Sequence, residues 1–323
     1  LALFYLILNI IQIRLLSLGS DHFGYLGYIL CIKKNNNRFI KRLDAFVEHK
    51  NCSQPQLYQW LLSFFPKSFL VKYYQYLNLV ISNFSLFSFF IFLKLIYPKL
   101  NLDIDFFNFF LISSLIFILT PFSFASWNAK NVGLSARGLA LLFVQLYLYF
   151  ITLFCLYDKP WLLGGVFLFS FLILITGQFA FQFVLITMVF YSLFLKSFIY
   201  VLVPFSSFLV FYLVMPGVAR AFFIGQWNFK KLYYCYFAER FVLIYRYSIW
   251  RDFIWDFWKG LIENKLKSSL KYIYLNPFVS ILIGFPFFTF LMIIILFDSH
   301  YRDLIFSDKI FFVSIHIFTA FFA

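Results

Sequence analysis

The sequence predicts an all-α, polytopic bundle of about eight or nine membrane spans, with interfacial amphipathic helices in two long loops on one side. Three observations lead there. Only 12% of the residues are charged and 63% are hydrophobic, whereas a soluble domain carries about 25% charge. Apolar runs close to the ~20 residues that cross a hydrocarbon core recur along the chain. The ten-residue alternation of a membrane barrel is missing, so helices must satisfy the backbone.

The elements follow in order. Apolar runs predict spans near 1–17, 77–97, 106–126, 138–157, 161–176, 178–195, 197–215 and 277–297, with a partial ninth over 310–323. The pair 161–176 and 178–195 meets at Thr176-Gly177-Gln178, as a tight hairpin or a re-entrant pair. Two long polar segments remain, 18–76 and 216–276. In the first, a helix from His22 to Lys34 is followed by "KKNNNR", which reads as a turn. Leu57, Trp60, Leu61 and Phe64 then share one face of a helix over 53–65, with Ser53 as its cap and Pro55 in its first turn. In the second, Trp250, Phe253, Ile254, Phe257 and Trp258 form a stripe over 250–262, with charges off it, as in helices lying at a membrane surface. The whole of 1–323 reads as a single transmembrane domain. It begins at Leu1 and ends inside an apolar run, as if cut from something longer at both ends.

Six spans separate the long segments, which places both on the same side. Segment 18–76 holds eight basic and three acidic residues, and 216–276 holds ten and four. The positive-inside rule would make that side cytoplasmic, although it weakens for loops of this length. Positive charge can equally serve to hold phosphate.

Much chemistry is excluded. Cys31, Cys52, Cys155 and Cys235 form no CxxC pair, so zinc and iron–sulfur sites lack support, and a Cys31–Cys52 disulfide would need an extracellular loop. None of the four histidines sits in a nucleophile motif, and no P-loop, GxGxxG or HExxH occurs. No nucleic-acid partner is expected. The 53 Phe and 22 Tyr fit AT-rich coding, and no aromatic cage is read from them. Asp103 and Asp105 form a DxD on the opposite side and read as solvated loop charges. Gln12 and Arg14 lie near the end of the first span, where Arg14 is able to snorkel. Gln178 and Gln182 are one turn apart, at a spacing suited to hydrogen bonds between helices.

Asp21 stands out. It follows the first span by a few residues, at a depth where a carboxylate stays ionised yet gains basicity from partial desolvation. Ser20 or Asp21 also suits the N-cap of the helix that follows, and the two roles are compatible.

"GSDHFGYLGYILCIKKNNNRF", followed by "QPQLYQWLLSFFP", resembles the start of the GT-C superfamily of polytopic glycosyltransferases. "NAKNVGLSARGLALLF" over 128–143 and "GQFAFQ" over 177–182 are similar to further patches of that superfamily, so the resemblance covers roughly residues 1–200. It implies transfer of a sugar from a polyprenyl-phosphate carrier on the non-cytoplasmic face, the opposite of the charge-rule orientation. Carried over, Asp21 is the catalytic base, and Arg137 and Arg220 hold the leaving phosphate. His22, Tyr25, Asn128, Asn131 and Gln178 complete the expected substrate contacts. Metal-using relatives carry acids in the second outer loop, where this chain has only Asn128 and Asn131. A mechanism without a divalent metal is therefore favoured. The expected setting is a bacterial inner membrane or its equivalent, with membrane lipid and the lipid-linked donor as partners. The competing class is a non-enzymatic multispan subunit or a transporter. Against transport, no internal repeat and no acid buried in mid-span occur.

Overall fold

A computed structural model describes residues 1–15, 21–41, 55–100, 104–119, 134–194, 196–232 and 262. The chain divides into two compact units, Leu1–Gly225 with Asp308–Ala323, and Gln226–Ser307. Among the described residues the structure is all-helical, with ten helices and no strand: α1 Ala2–Leu15, α2 Asp21–Lys34, α3 Leu57–Ser63, α4 Lys67–Leu100, α5 Phe106–Leu119, α6 Arg137–Tyr157, α7 Trp161–Thr176, α8 Gln178–Phe194, α9 Ile199–Val214 and α10 Pro216–Leu232. Among the described residues, two stretches, Tyr76–Leu100 and Arg137–Tyr157, are long and apolar enough to cross a membrane. The pair α9 and α10, bent by 116°, makes a third if it is taken as one span. The spans expected at 277–297 and 310–323, the helix expected over 250–262 (apart from Ile262), and Cys52 and Ser53 lie outside the described residues.

Side-chain pairings fix the register of α4 to α9. α4 and α5 are antiparallel, because Tyr97 meets Phe106 while Phe89 stacks on Phe117. α4 and α6 are parallel. Gly138 faces Asn78, Gln145 donates to Ser85 O at 2.9 Å and is also bonded to the Ser85 hydroxyl, and Tyr157 OH donates to Leu95 O at 2.6 Å. α7 returns along α6, where Gly165 leaves the space that the Phe150 ring fills. α8 then runs parallel to α6. Gly177 lies against Ala140 at one end, and at the other Tyr191 packs on Tyr200, whose hydroxyl meets Cys155 Sγ at 3.1 Å. The α7–α8 pair is therefore a tight hairpin whose arms both run the length of α6, not a shallow loop. α9 runs parallel to α7, with Phe171 against Phe211. The start of α4 and the end of α9 consequently share one end of the bundle.

The outward faces are apolar. On α4, Val80, Phe84, Phe87, Ile91 and Leu95 are all exposed. Their spacing is one helical stripe about 22 Å long at 1.5 Å per residue. Leu86, Phe92, Leu93 and Ile96 turn inward. α9 repeats the pattern with Leu202, Phe205, Leu209 and Leu213. Apolar patches this continuous are foreign to a surface facing water.

The element boundaries hold some corrections. α4 begins at Lys67, ten residues before the expected span, just after Pro66, whose carbonyl accepts the Leu70 N–H at 3.1 Å and so starts the helix. "KKNNNR" closes α2 as expected: Asn36 and Asn37 take left-handed φ of 55° and 53°, which asparagine tolerates, and Asn37 N–H reaches Ile32 O at 3.0 Å. Asp105 is more than a solvated charge. It caps α5, accepting the Asn108 N–H at 3.1 Å, while Asp103 lies outside the described residues. α3 starts at Leu57, so Pro55 precedes it instead of occupying its first turn. Residues 216–232, read as loop, form α10. Pro216 is preset for the first helical position, and Met215 breaks the chain away from α9.

Candidate functional site

Two of the candidate residues, Tyr25 and Arg137, lie at the end where α2, α3, the start of α4 and the start of α6 meet. One apolar cluster joins them. Ile29 of α2, Tyr58 and Leu62 of α3, Leu70 and Tyr74 of α4, and Leu134 are its buried members. Tyr25 packs against it from α2, and Ala136 and Leu139 pack against it from either side of Arg137. Tyr25 lies one turn after Asp21, so the cluster draws the first turns of α2 and α6 to the same place. Asp21 opens α2. The side chains of Asp21, His22, Gln178, Gln182, Gln12 and Arg14 lie outside the described residues, as do Asn128 and Asn131 altogether.

Arg137 is the first residue of α6 and half-buried; its N–H donates to the Ser135 hydroxyl at 3.3 Å. Gln178 is the first residue of α8. The corner before it rests on α6, since a Cβ on Gly177 would lie 2.5 Å from Ala140 Cβ, three residues after Arg137. Arg220 sits differently. On α10 the inward residues are Ala219, Ala221 and Phe222, and Arg220 lies exposed on the opposite side. Lys41 approaches the same helix, its Nζ 2.8 Å from where a Gly217 Cβ would be.

A cap of side-chain to backbone bonds holds the 35–41 turn to α3. Gln56, only 4% exposed, makes a two-pronged pair with Ile40: its Oε1 accepts the Ile40 N–H at 2.7 Å and its Nε2 donates to Ile40 O at 2.5 Å. Trp60 Nε1 donates to Asn37 O at 2.8 Å, and Lys33 Nζ donates to Phe65 O at 3.1 Å. Sequence reasoning missed Gln56. Its signal was the spacing of Gln56, Gln59 and Ser63 on the side of α3 opposite the apolar stripe. That side, which also carries Tyr58 and Leu62, is the buried one, whereas Leu61 and Phe64 are exposed. Gln56→Leu is expected to cost about 2–4 kcal/mol, because both Ile40 groups lose their partner in a part-buried place. Limited proteolysis should then cut the 35–56 region well before the rest of the chain.

Two polar atoms of α3, Tyr58 OH and Gln59 Oε1, are buried without a hydrogen-bond partner among the described residues. Burial pushes the Tyr58 hydroxyl far above its ordinary pKa, so it stays a neutral donor. A narrow cleft beside α3, lined by Phe39, Gln56, Leu174, Phe211, Val218 and Phe222 among others, has space for about one water. It is apolar and includes neither Arg137 nor Arg220. Among the described residues, no three His, Cys, Asp or Glu side chains come together as a metal site.

No family model matches the chain, and no curated protein or solved structure compared with it matches either.

Proposed function

We propose that this chain is a multi-pass membrane glycosyltransferase of the GT-C type, with α4 to α9 each crossing the bilayer. In this reading it takes a sugar from a polyprenyl-phosphate donor at the end where α2 and α6 begin. One observation carries it: Tyr25, a turn after Asp21, shares an apolar cluster with the residues flanking Arg137. A carboxylate and a guanidinium at neighbouring helix starts suit the two halves of the displacement. The acceptor hydroxyl gives its proton to Asp21 as its oxygen attacks the sugar's anomeric carbon. The bond from that carbon to the donor phosphate breaks, and Arg137 takes up the charge left on the phosphate. The start of α6 adds the positive end of a helix dipole. Tyr58 and Gln59, buried on the inner side of α3, are polar groups of the kind a sugar hydroxyl pairs with. Arg220 faces outward and is not assigned to the leaving group.

The reading requires the α2–α3 end to face away from the cytoplasm. A cysteine placed at residue 45 should be labelled by a membrane-impermeant maleimide in intact cells. Protection until the cells are lysed would put that end inside and overturn the proposal.

A further inference from the structure

The outward side of α10 carries a pattern that the transferase reading leaves unused. Arg220, Phe223, Ile224, Trp227 and Lys231 are all exposed. Their spacing of three, four and seven residues puts them on one narrow stripe of a single continuous helix. Apolar side chains occupy its middle and a cation stands at each end. The opposite side is buried through Ala219, Ala221, Phe222 and Gly225. The stripe therefore lies on the side of α10 opposite its buried residues.

We propose that α10 lies in the membrane plane and that this stripe binds the headgroup layer of an anionic phospholipid leaflet. The inference rests on the membrane reading above. α9 bears an outward apolar stripe along its length, from Leu202 to Leu213, as a helix crossing the bilayer does. α10 leaves it at 116°, a little past a right angle, which lays α10 along the surface. A helix dipping into hydrocarbon would need to be apolar throughout, and α10 carries Arg220, Asn228, Lys230 and Lys231. Trp227, 73% exposed, is the residue type that settles at headgroup depth, and Arg and Lys reach past it to phosphate. The charge is one-sided. α10 contains no acidic residue, and Gly217 makes room for one more ammonium, that of Lys41. An apolar protein partner gives these cations nothing to pair with, and the phosphates of a zwitterionic leaflet are already balanced by their own ammonium groups; anionic headgroups offer unbalanced negative charge.

The test uses the full chain reconstituted in phosphatidylcholine vesicles, with and without phosphatidylglycerol, and lipids brominated at shallow or deep acyl positions. Subtracting the fluorescence of Trp227→Phe isolates Trp227, whose exposure makes that exchange harmless to folding. The expected result is stronger quenching by shallow than by deep bromines. Brominated phosphatidylglycerol should also be enriched over phosphatidylcholine at Trp227 by about fivefold, falling close to parity in Arg220→Gln/Lys231→Gln. Stronger deep quenching would overturn the proposal by showing that α10 crosses the membrane. So would quenching of other tryptophans but not Trp227, which would mean that protein covers the stripe. A phosphatidylglycerol preference that is absent, or that survives loss of both cations, overturns it as well. If no tryptophan of the chain is quenched by any lipid, the membrane reading itself fails, and this inference with it.

Discussion

Asp21→Asn is expected to lower sugar transfer from a polyprenyl-phosphate donor by about 10²- to 10⁴-fold, the range that a positioned general base contributes. The exchange keeps size and hydrogen-bonding capacity and removes only the ability to take a proton. Asp21 opens α2, where a negative charge favours the helix dipole by about 0.3–1 kcal/mol. Losing that much leaves the fold populated, so protein abundance should not change. The readout is surface glycan together with membrane-fraction protein in the same cells. Asp105→Asn is the matched control, since Asp105 caps α5 at the other end of the bundle and asparagine caps as well as aspartate. Full glycan with Asp21→Asn would remove the catalytic role. Equal loss with Asp105→Asn would mean that both changes act through folding.

Gly177→Ala should be strongly destabilising, because it adds a methyl group where the α7–α8 corner has no room for one. Gly177 has φ −147° and ψ 123°, an extended conformation open to any residue. The difficulty is space alone. Its Cβ would lie 2.5 Å from Ala140 Cβ, and 3.9 Å from the Ala140 backbone. Alanine has no rotamer to move aside, so the α7–α8 corner must lift off α6, at a cost of about 1–3 kcal/mol. Melting of the detergent-solubilised protein should fall by roughly 2–10 °C. Ala140→Gly on top of Gly177→Ala should restore most of it, and the two changes should couple strongly in a double-mutant cycle. Simple additivity would show that this contact does not hold the corner down. The same corner starts α8 beside the Arg137 turn, so the unrescued variant should also lose transfer activity if the site is where we place it.

The apolar helices were legible because hydropathy marks them directly. Residues 138–157 and 161–176 were expected, and α6 and α7 occupy 137–157 and 161–176. The turn at 35–37 was legible too, because a run of asparagines tolerates the left-handed backbone that closes α2. The two residues beside Gly177 marked the break, but not which kind. Only the pairing of Tyr191 with Tyr200 and of Gly177 with Ala140 made it a full hairpin. Of the candidate site, the sequence supplied Asp21, Tyr25 and Arg137, while the cluster that draws their helices together comes from contacts between α2, α3, α4 and α6 that are distant in the chain. Gln56 escaped because a glutamine at the edge of an apolar helix looks like a solvated flank until Ile40 is brought against it.

What the sequence determined alone is where most of the apolar helices run and where several of them stop, as at α6 and α7. A long run with almost no charge has one stable form in hydrocarbon, and turn residues say where it stops. What only the tertiary structure decided is which side of each helix faces in. Leu57, Trp60, Leu61 and Phe64 form the obvious apolar stripe of α3, yet the opposite side, where Gln59 and Ser63 sit beside Tyr58 and Leu62, is the one buried. On α4 and α9 both sides are apolar and only packing separates them. The physical reason is that lipid is as apolar as a protein core, so hydrophobicity no longer marks the inside. Shape and hydrogen bonding decide instead: a missing Cβ at Gly177 and a backbone pair for Gln56.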